Sequence, residues 1–155
     1  MAAATYIPTT LKKSQVINAG PQVKFDTDTI VCLIVKAGSG IPNTQSNGIQ
    51  FISDVTATNP ELSYVGYSRQ TLAGVTVAYD ASPSDKVDFS FSNIVWAQNA
   101  NDDGTGRYIV FADTTIGAND AAHPVIAISD PNQYLNVQNG SLTLQSPTGG
   151  LIQWQ

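Results

Sequence analysis

The amino-acid sequence predicts an all-β protein, and three observations carry that reading. Short runs of β-branched and aromatic residues recur along the chain, most of them four to eight residues long. Gly, Pro, Asn and Asp punctuate them at close spacing, as antiparallel connections require. Helical periodicity shows in one short segment only. Together they imply an antiparallel β-sandwich, a jelly-roll-like fold or a partly open barrel of about eight strands, with one short helix. A length of 155 residues suits one domain and supports a real core without staples.

Two parts are expected. Residues 1–25 form an extended basic arm, since Pro8 and Gly20-Pro21 break any helix there, with a short strand at Ser14–Asn18. Residues 26–155 form the single β domain. Thr29–Lys36 is a continuous β-branched run and reads as a strand buried on both faces. A polar loop containing Gly38-Ser39-Gly40 and Pro42–Gly48 follows. Ile49, Ile52 and Val55 share a helical face, so a short helix is expected within Ile49–Ala57, ended by Asn59-Pro60.

From Gly66 onward the strands follow closely. Tyr67–Leu72 reads as one, and Val75, Val77 and Tyr79 alternate on the next. After the Pro83 turn, Val87, Phe89 and Phe91 alternate with polar residues, the clearest half-buried strand, pairing with the Val75 strand as a hairpin. Ile94–Trp96 continues that apolar surface past Asn93. Arg107–Ala112 is a two-sided apolar strand, and Pro124–Ser129 another, with proline tolerated at its first position. Leu142 and Leu144 mark a further strand, and Leu151, Ile152 and Trp154 a last one.

Composition narrows the function. Charged residues make up only 12%, about half the usual share, so much of the surface is uncharged and polar, which suits a protein packed in an assembly. The net charge of −5 disfavours nucleic acid as a partner. Its distribution is uneven. Lys12, Lys13 and Lys24 face no acid within residues 1–25, a charge of +3. All twelve acids stand against Lys36, Arg69, Lys86 and Arg107 in the remainder, a charge of −8. An acid-free arm in front of an acidic body points to docking on a neighbouring subunit. Met1–Tyr6 lacks the pattern of a secretory leader, and no apolar run has the length of a membrane span, so synthesis in the cytoplasm and no membrane partner are expected.

No constellation points to catalysis. His123 is the only histidine and Cys32, inside an apolar run, the only cysteine, so neither a nucleophilic triad nor an internal disulfide is expected. Asn101-Asp102-Asp103-Gly104 offers oxygen ligands for a hard cation but departs from EF-hand spacing and reads as a turn. Asp26/Asp28 and Asp85/Asp88 read as solvated charges at strand edges. The glycine pairs at residues 38–40 and 104–106 are too short for nucleotide loops. No metal, cofactor, small-molecule substrate or enzymatic activity is expected. Trp96 and Trp154 are candidate interface or glycan-stacking aromatics.

Several segments, taken in order, resemble a family of small virion structural proteins of tailed bacteriophages. They are Asp26-Thr27-Asp28-Thr29-Ile30 leading into an aliphatic strand, Gly66-Tyr67 with Leu72, Val75–Asp80, Ile94-Val95-Trp96-Ala97, Arg107-Tyr108-Ile109-Val110, Pro124-Val125-Ile126-Ala127, and the ending Gly140–Leu144 with Gly149–Ile152. The likeness spans residues 26–155, outside the arm, and the loop at Ala37–Gly48 departs from it. It implies a non-catalytic capsid decoration, or cement, protein on the exterior of the phage head. The partner it implies is the major capsid protein, and since closed cyclic symmetry suits repeated sites on a shell, further copies of the chain in a homotrimer are expected. Tyr6, Lys12, Lys13 and Lys24 of the arm are the expected contacts. A phage neck or tail subunit and a glycan-binding β-sandwich are the alternatives.

Overall fold

The computed structural model describes residues 4–6, 22–39, 41, 49–80, 86–100, 105–146 and 152–154. The expected strand at Ser14–Asn18, the Pro83 turn and the Asn101–Gly104 loop lie outside them. The described residues hold ten strands and one helix: β1 (Ala4–Tyr6), β2 (Ile30–Lys36), α1 (Ile52–Thr56), β3 (Gln70–Thr71), β4 (Thr76–Asp80), β5 (Lys86–Ser90), β6 (Ile94–Trp96), β7 (Gly106–Asp113), β8 (Val125–Asp130), β9 (Leu142–Leu144) and β10 (Ile152–Trp154). Their ladders are antiparallel, and the all-β expectation holds. The count exceeds about eight because β1 joins the body and because β6 forms its own pairing with β9 instead of continuing β5.

A five-stranded sheet in the order β1-β8-β7-β2-β3 is the centre of the molecule. β2 and β7 pair from Ile30↔Asp113 to Val35↔Tyr108, with an irregularity before Lys36. Both strands are buried along nearly their whole length, which accounts for an apolar run without alternation. Side chains of opposite parity enter different cores. Ile30, Cys32, Ile34, Ile109 and Phe111 face one core, shared with Phe89, Ile94 and Trp96 from the smaller sheets β10-β5-β4 and β6-β9 and with Phe91 between β5 and β6. Val31, Leu33, Val35, Val110 and Ala112 face the other, closed by Ile41, Ile49 and the helix residues Ile52 and Val55. The result is a β-sandwich with a helix and loop covering the outer face of its main sheet.

The helix is shorter than its sequence signal, Ile52–Thr56 within the expected Ile49–Ala57. The Asp54 carboxylate reaches back to accept from the backbone N–H groups of Gln50 and Phe51, both at 2.9 Å. The N–H groups of Ile52 and Ser53 donate to the carbonyls of His123 and Asp120 at 3.1 Å, so a distant loop supplies acceptors that the helix start lacks. Asn59, fully buried, donates to the Lys36 carbonyl at 3.1 Å and stops the helix against β2.

The expected strand Tyr67–Leu72 reduces to Gln70–Thr71. β3 pairs β2 only at Val31 and Cys32. Beyond that point residues 60–62 and a side chain satisfy the free edge of β2. The N–H of Leu62 donates to the Ile34 carbonyl and that of Lys36 to the Pro60 carbonyl, each at 2.8 Å, while the Tyr67 hydroxyl accepts from the Ile34 N–H at 2.9 Å. A phenol in the ladder leaves the backbone of residues 67–69 without strand partners on β2. The hairpin β4-β5 forms as expected, with Val77 opposite Phe89; Val77 lies on the sheet's outer strand and is 46% exposed. Pro124 precedes β8 and bridges Phe51, leaving the strand proper at Val125–Asp130.

Phe111 is fully buried on β7 and contacts the Phe91 ring at 5.7 Å between centroids, linking the main sheet to the second layer. Phe111→Ala is expected to cost about 3–5 kcal/mol, read from the urea-unfolding midpoint at unchanged slope.

Candidate functional site: the arm and the face that anchors it

The arm begins as an edge strand of the body. Thr5 and Tyr6 are residue types favoured in strands, and Ala4–Tyr6 pairs β8 at Ala4↔Asp130, Thr5↔Ser129 and Tyr6↔Ile128. Tyr6, expected as a partner contact, therefore has its backbone in the chain's own sheet. At the other end of the arm Lys24 sits in a turn. Its carbonyl accepts from the N–H groups of Thr27 (3.1 Å) and Asp28 (2.8 Å), and its N–H donates to the Asp28 carboxylate at 2.6 Å. The Lys24 side chain is exposed. Lys12 and Lys13 lie outside the described residues. The described residues thus tie the arm to the body at Ala4–Tyr6 and at Lys24.

Both arginines of the body are committed to internal pairs. Arg69 meets Glu61 at 2.6 Å and Asp120 at 2.6 Å, making three hydrogen bonds to the first carboxylate and two to the second. The Tyr67 hydroxyl, pushed upward in pKa chiefly by burial, donates to Glu61 at 3.0 Å. The Arg69 hydrogen bonds hold the Asp120 carboxyl below the ordinary carboxylate range. Arg107 pairs with Asp130 at 2.9 Å and donates to the Gln133 carbonyl at 3.2 Å. The two guanidiniums are thereby spent on three of the body's own acids, Glu61, Asp120 and Asp130. Spacing could not have foretold the Arg69 cluster, because it joins residues from three separated segments.

Trp96 is 2% exposed, and its indole N–H donates to the Ser68 carbonyl at 3.1 Å. A ring enclosed in the core has no free face for a sugar, so the reading of Trp96 as a glycan-stacking or interface aromatic is corrected. Trp154 lies in β10 opposite Val87. Cys32 is fully buried, and desolvation pushes its thiol up to about 12, as befits a small core residue. His123 stands beside Asp120, with Nδ1 3.5 Å from the carboxylate, and its carbonyl serves the helix start. Asp26 is exposed, but Asp28 is not the solvated edge charge expected, because it ties back to Lys24. Asp85 and the side chain of Asp88 lie outside the described set. Among the described residues no group of three or more His, Cys, Asp or Glu is placed to hold a metal ion, and no helix is long and apolar enough to cross a membrane. Comparison of the chain with protein-family models, curated proteins and solved structures returns no match.

Two outcomes follow. Arg69→Met is expected to destabilise the protein by about 1–2 kcal/mol at neutral pH, after allowance for the partial exposure of the pair. A depressed carboxyl pKa contributes stability above its unfolded value, so this difference shrinks as pH falls below about 3.8, read by urea unfolding across an acid series. Cys32 is expected to react with a thiol reagent only as fast as the molecule opens, so its labelling rate rises in step with denaturant.

Proposed function

We propose that this protein is a non-catalytic bacteriophage capsid decoration protein that binds the assembled head, bridges capsomers and so stabilises the shell. The observation that carries the reading is the division of charge. An acid-free segment with three lysines is fastened at both ends to an acidic body whose arginines are consumed internally. Such a chain carries three of its five lysines and no acid in one segment, suited to an acidic surface on the capsid or on a neighbouring copy. The family resemblance supports the same reading. Its motifs fall on elements that build the core, with the Asp26–Ile30 segment leading into β2, Arg107–Val110 in β7 and Val125–Ala127 in β8. Closed cyclic symmetry suits repeated sites on a shell, and a homotrimer is the proposed state. Binding confined to the assembled shell stabilises it by mass action.

The test uses heads of the encoding phage purified without this protein. Added full-length chain is expected to co-sediment with them in high copy number and to raise their disruption temperature. Because Ala4–Tyr6 covers a sheet edge, removing the whole arm would disturb the body as well. Charge reversal at Lys12, Lys13 and Lys24 to Glu tests the arm without losing β1. The variant should bind at least tenfold more weakly, with wild-type binding itself weakening in salt. Equal binding by the reversed variant would rule out the arm as the contact. Binding at a few copies at one vertex would assign the protein to the neck or tail instead.

A further inference from the structure

Asp113 ends β7, fully buried, opposite Ile30 in the β2 ladder. The neighbouring backbone is tightly crossed. Thr114 donates to the Thr29 carbonyl through both its N–H (2.9 Å) and its hydroxyl (3.1 Å), and the Thr29 N–H donates to the Thr115 hydroxyl at 2.6 Å. This register brings Asp28, one residue earlier, against the end of β7. One oxygen of Asp113 accepts from the Thr115 N–H at 2.7 Å. The other, Oδ2, is buried and meets no donor. Besides the Thr115 backbone and hydroxyl, what lies within hydrogen-bonding reach of Asp113 is a second acceptor, the Asp28 carboxyl. Two carboxylates in contact, one of them sealed from water, need a positive charge between them.

We propose that Asp28 and Asp113 share one proton and form a pH-dependent latch that fastens the root of the arm, residues 24–29, to the end of β7. With the proton present, one O–H···O bond joins the side chains, and the other Asp28 contact, from the Lys24 N–H, stays in place. When the proton leaves to solvent, two negative charges face each other and the turn separates from the strand. A proton fits the surroundings better than a metal ion. The turn contributes Lys24, Asp26 and Asp28, of which Lys24 and Asp26 are exposed, and the segment after β7 contributes Thr114 and Thr115, so the buried side offers two carboxyl groups and hydroxyls already in use. Burial, with the Asp28 carboxyl adding to it, moves Asp113 above the ordinary carboxylate range. The folded state therefore binds the proton more tightly than the unfolded chain. The stability due to the pair is complete below about 3.8 and is lost as pH rises through the folded value.

The experiment titrates the full-length protein by infrared spectroscopy and hydrogen exchange, beside Asp113→Asn and Asp28→Asn. In the wild type a protonated-carboxyl band should persist above the pH at which exposed carboxylates have ionised, and either substitution should remove it. Exchange protection of the Thr27, Asp28 and Thr29 amides, corrected for the intrinsic rate, should fall across the same titration in the wild type. It should stay level in Asp113→Asn, whose amide supplies the missing donor. The unfolding midpoint of Asp113→Asn should rise relative to wild type as pH increases above the ordinary carboxylate range. If Asp113→Asn does not fold, Asp28→Asn and the wild-type band decide. Absence of the band above the ordinary carboxylate range would overturn the proposal. So would stabilisation of the wild type, and not of Asp28→Asn, by millimolar calcium, which would make the shared charge a metal ion.

Discussion

The pairing of β2 with β7 is the constraint on which the rest of the molecule depends. These two strands are apolar on both faces, so neither face can be left to water. Two separate coverings are then required. The smaller sheets, with Phe91 between β5 and β6, supply one through Phe89, Ile94 and Trp96, and the helix and its flanking loops supply the other through Ile41, Ile49, Ile52 and Val55. The short helix exists for that second face. A helix of five residues has little stability of its own, and its start borrows acceptors from the loop before β8. Removing one covering would expose half of the central pair and leave the other half without a rigid support.

Legibility in the sequence followed the strength of local patterning. The run from Ile30 to Lys36 has no polar interruption, and both its strand character and its two-sided burial could be read directly. The alternation of Val87, Phe89 and Phe91 likewise identified β5 and its hairpin partner. The segment Tyr67–Leu72 looked like a strand because its residues favour one, yet the decisive event is a tyrosine hydroxyl taking the place of a backbone carbonyl on β2. No periodicity encodes that. The pairing of Ala4–Tyr6 with β8 was also invisible, since it is made at long range by three residues of ordinary type.

The functional residues divide in the same way. The charge asymmetry is compositional and needs no fold to be seen. The commitment of Arg69 and Arg107 to three of the body's carboxylates depends on loops meeting in space. Trp96 shows the opposite case. A tryptophan beside a polar segment suggests a binding surface, but Ile94 and Trp96 share the inward side of β6, and the Ser68 carbonyl satisfies the one polar atom of the ring. Asp28 and Asp113, far apart in the chain, become neighbours only through the ladder register.

The edge strand Ala4–Tyr6 has a consequence for how the molecule comes apart. Its partners on β8 lie more than a hundred positions away in the chain, and only three residues of ladder hold it to them. The β2–β7 ladder is longer and sealed on both faces, so it opens only with global unfolding. The sheet therefore has a graded order of release. β1, held by three residues of ladder, detaches at a lower free energy than the centre. Each detachment frees the row of N–H and C=O groups that β1 had occupied on β8, giving a folded molecule with a temporarily open strand edge.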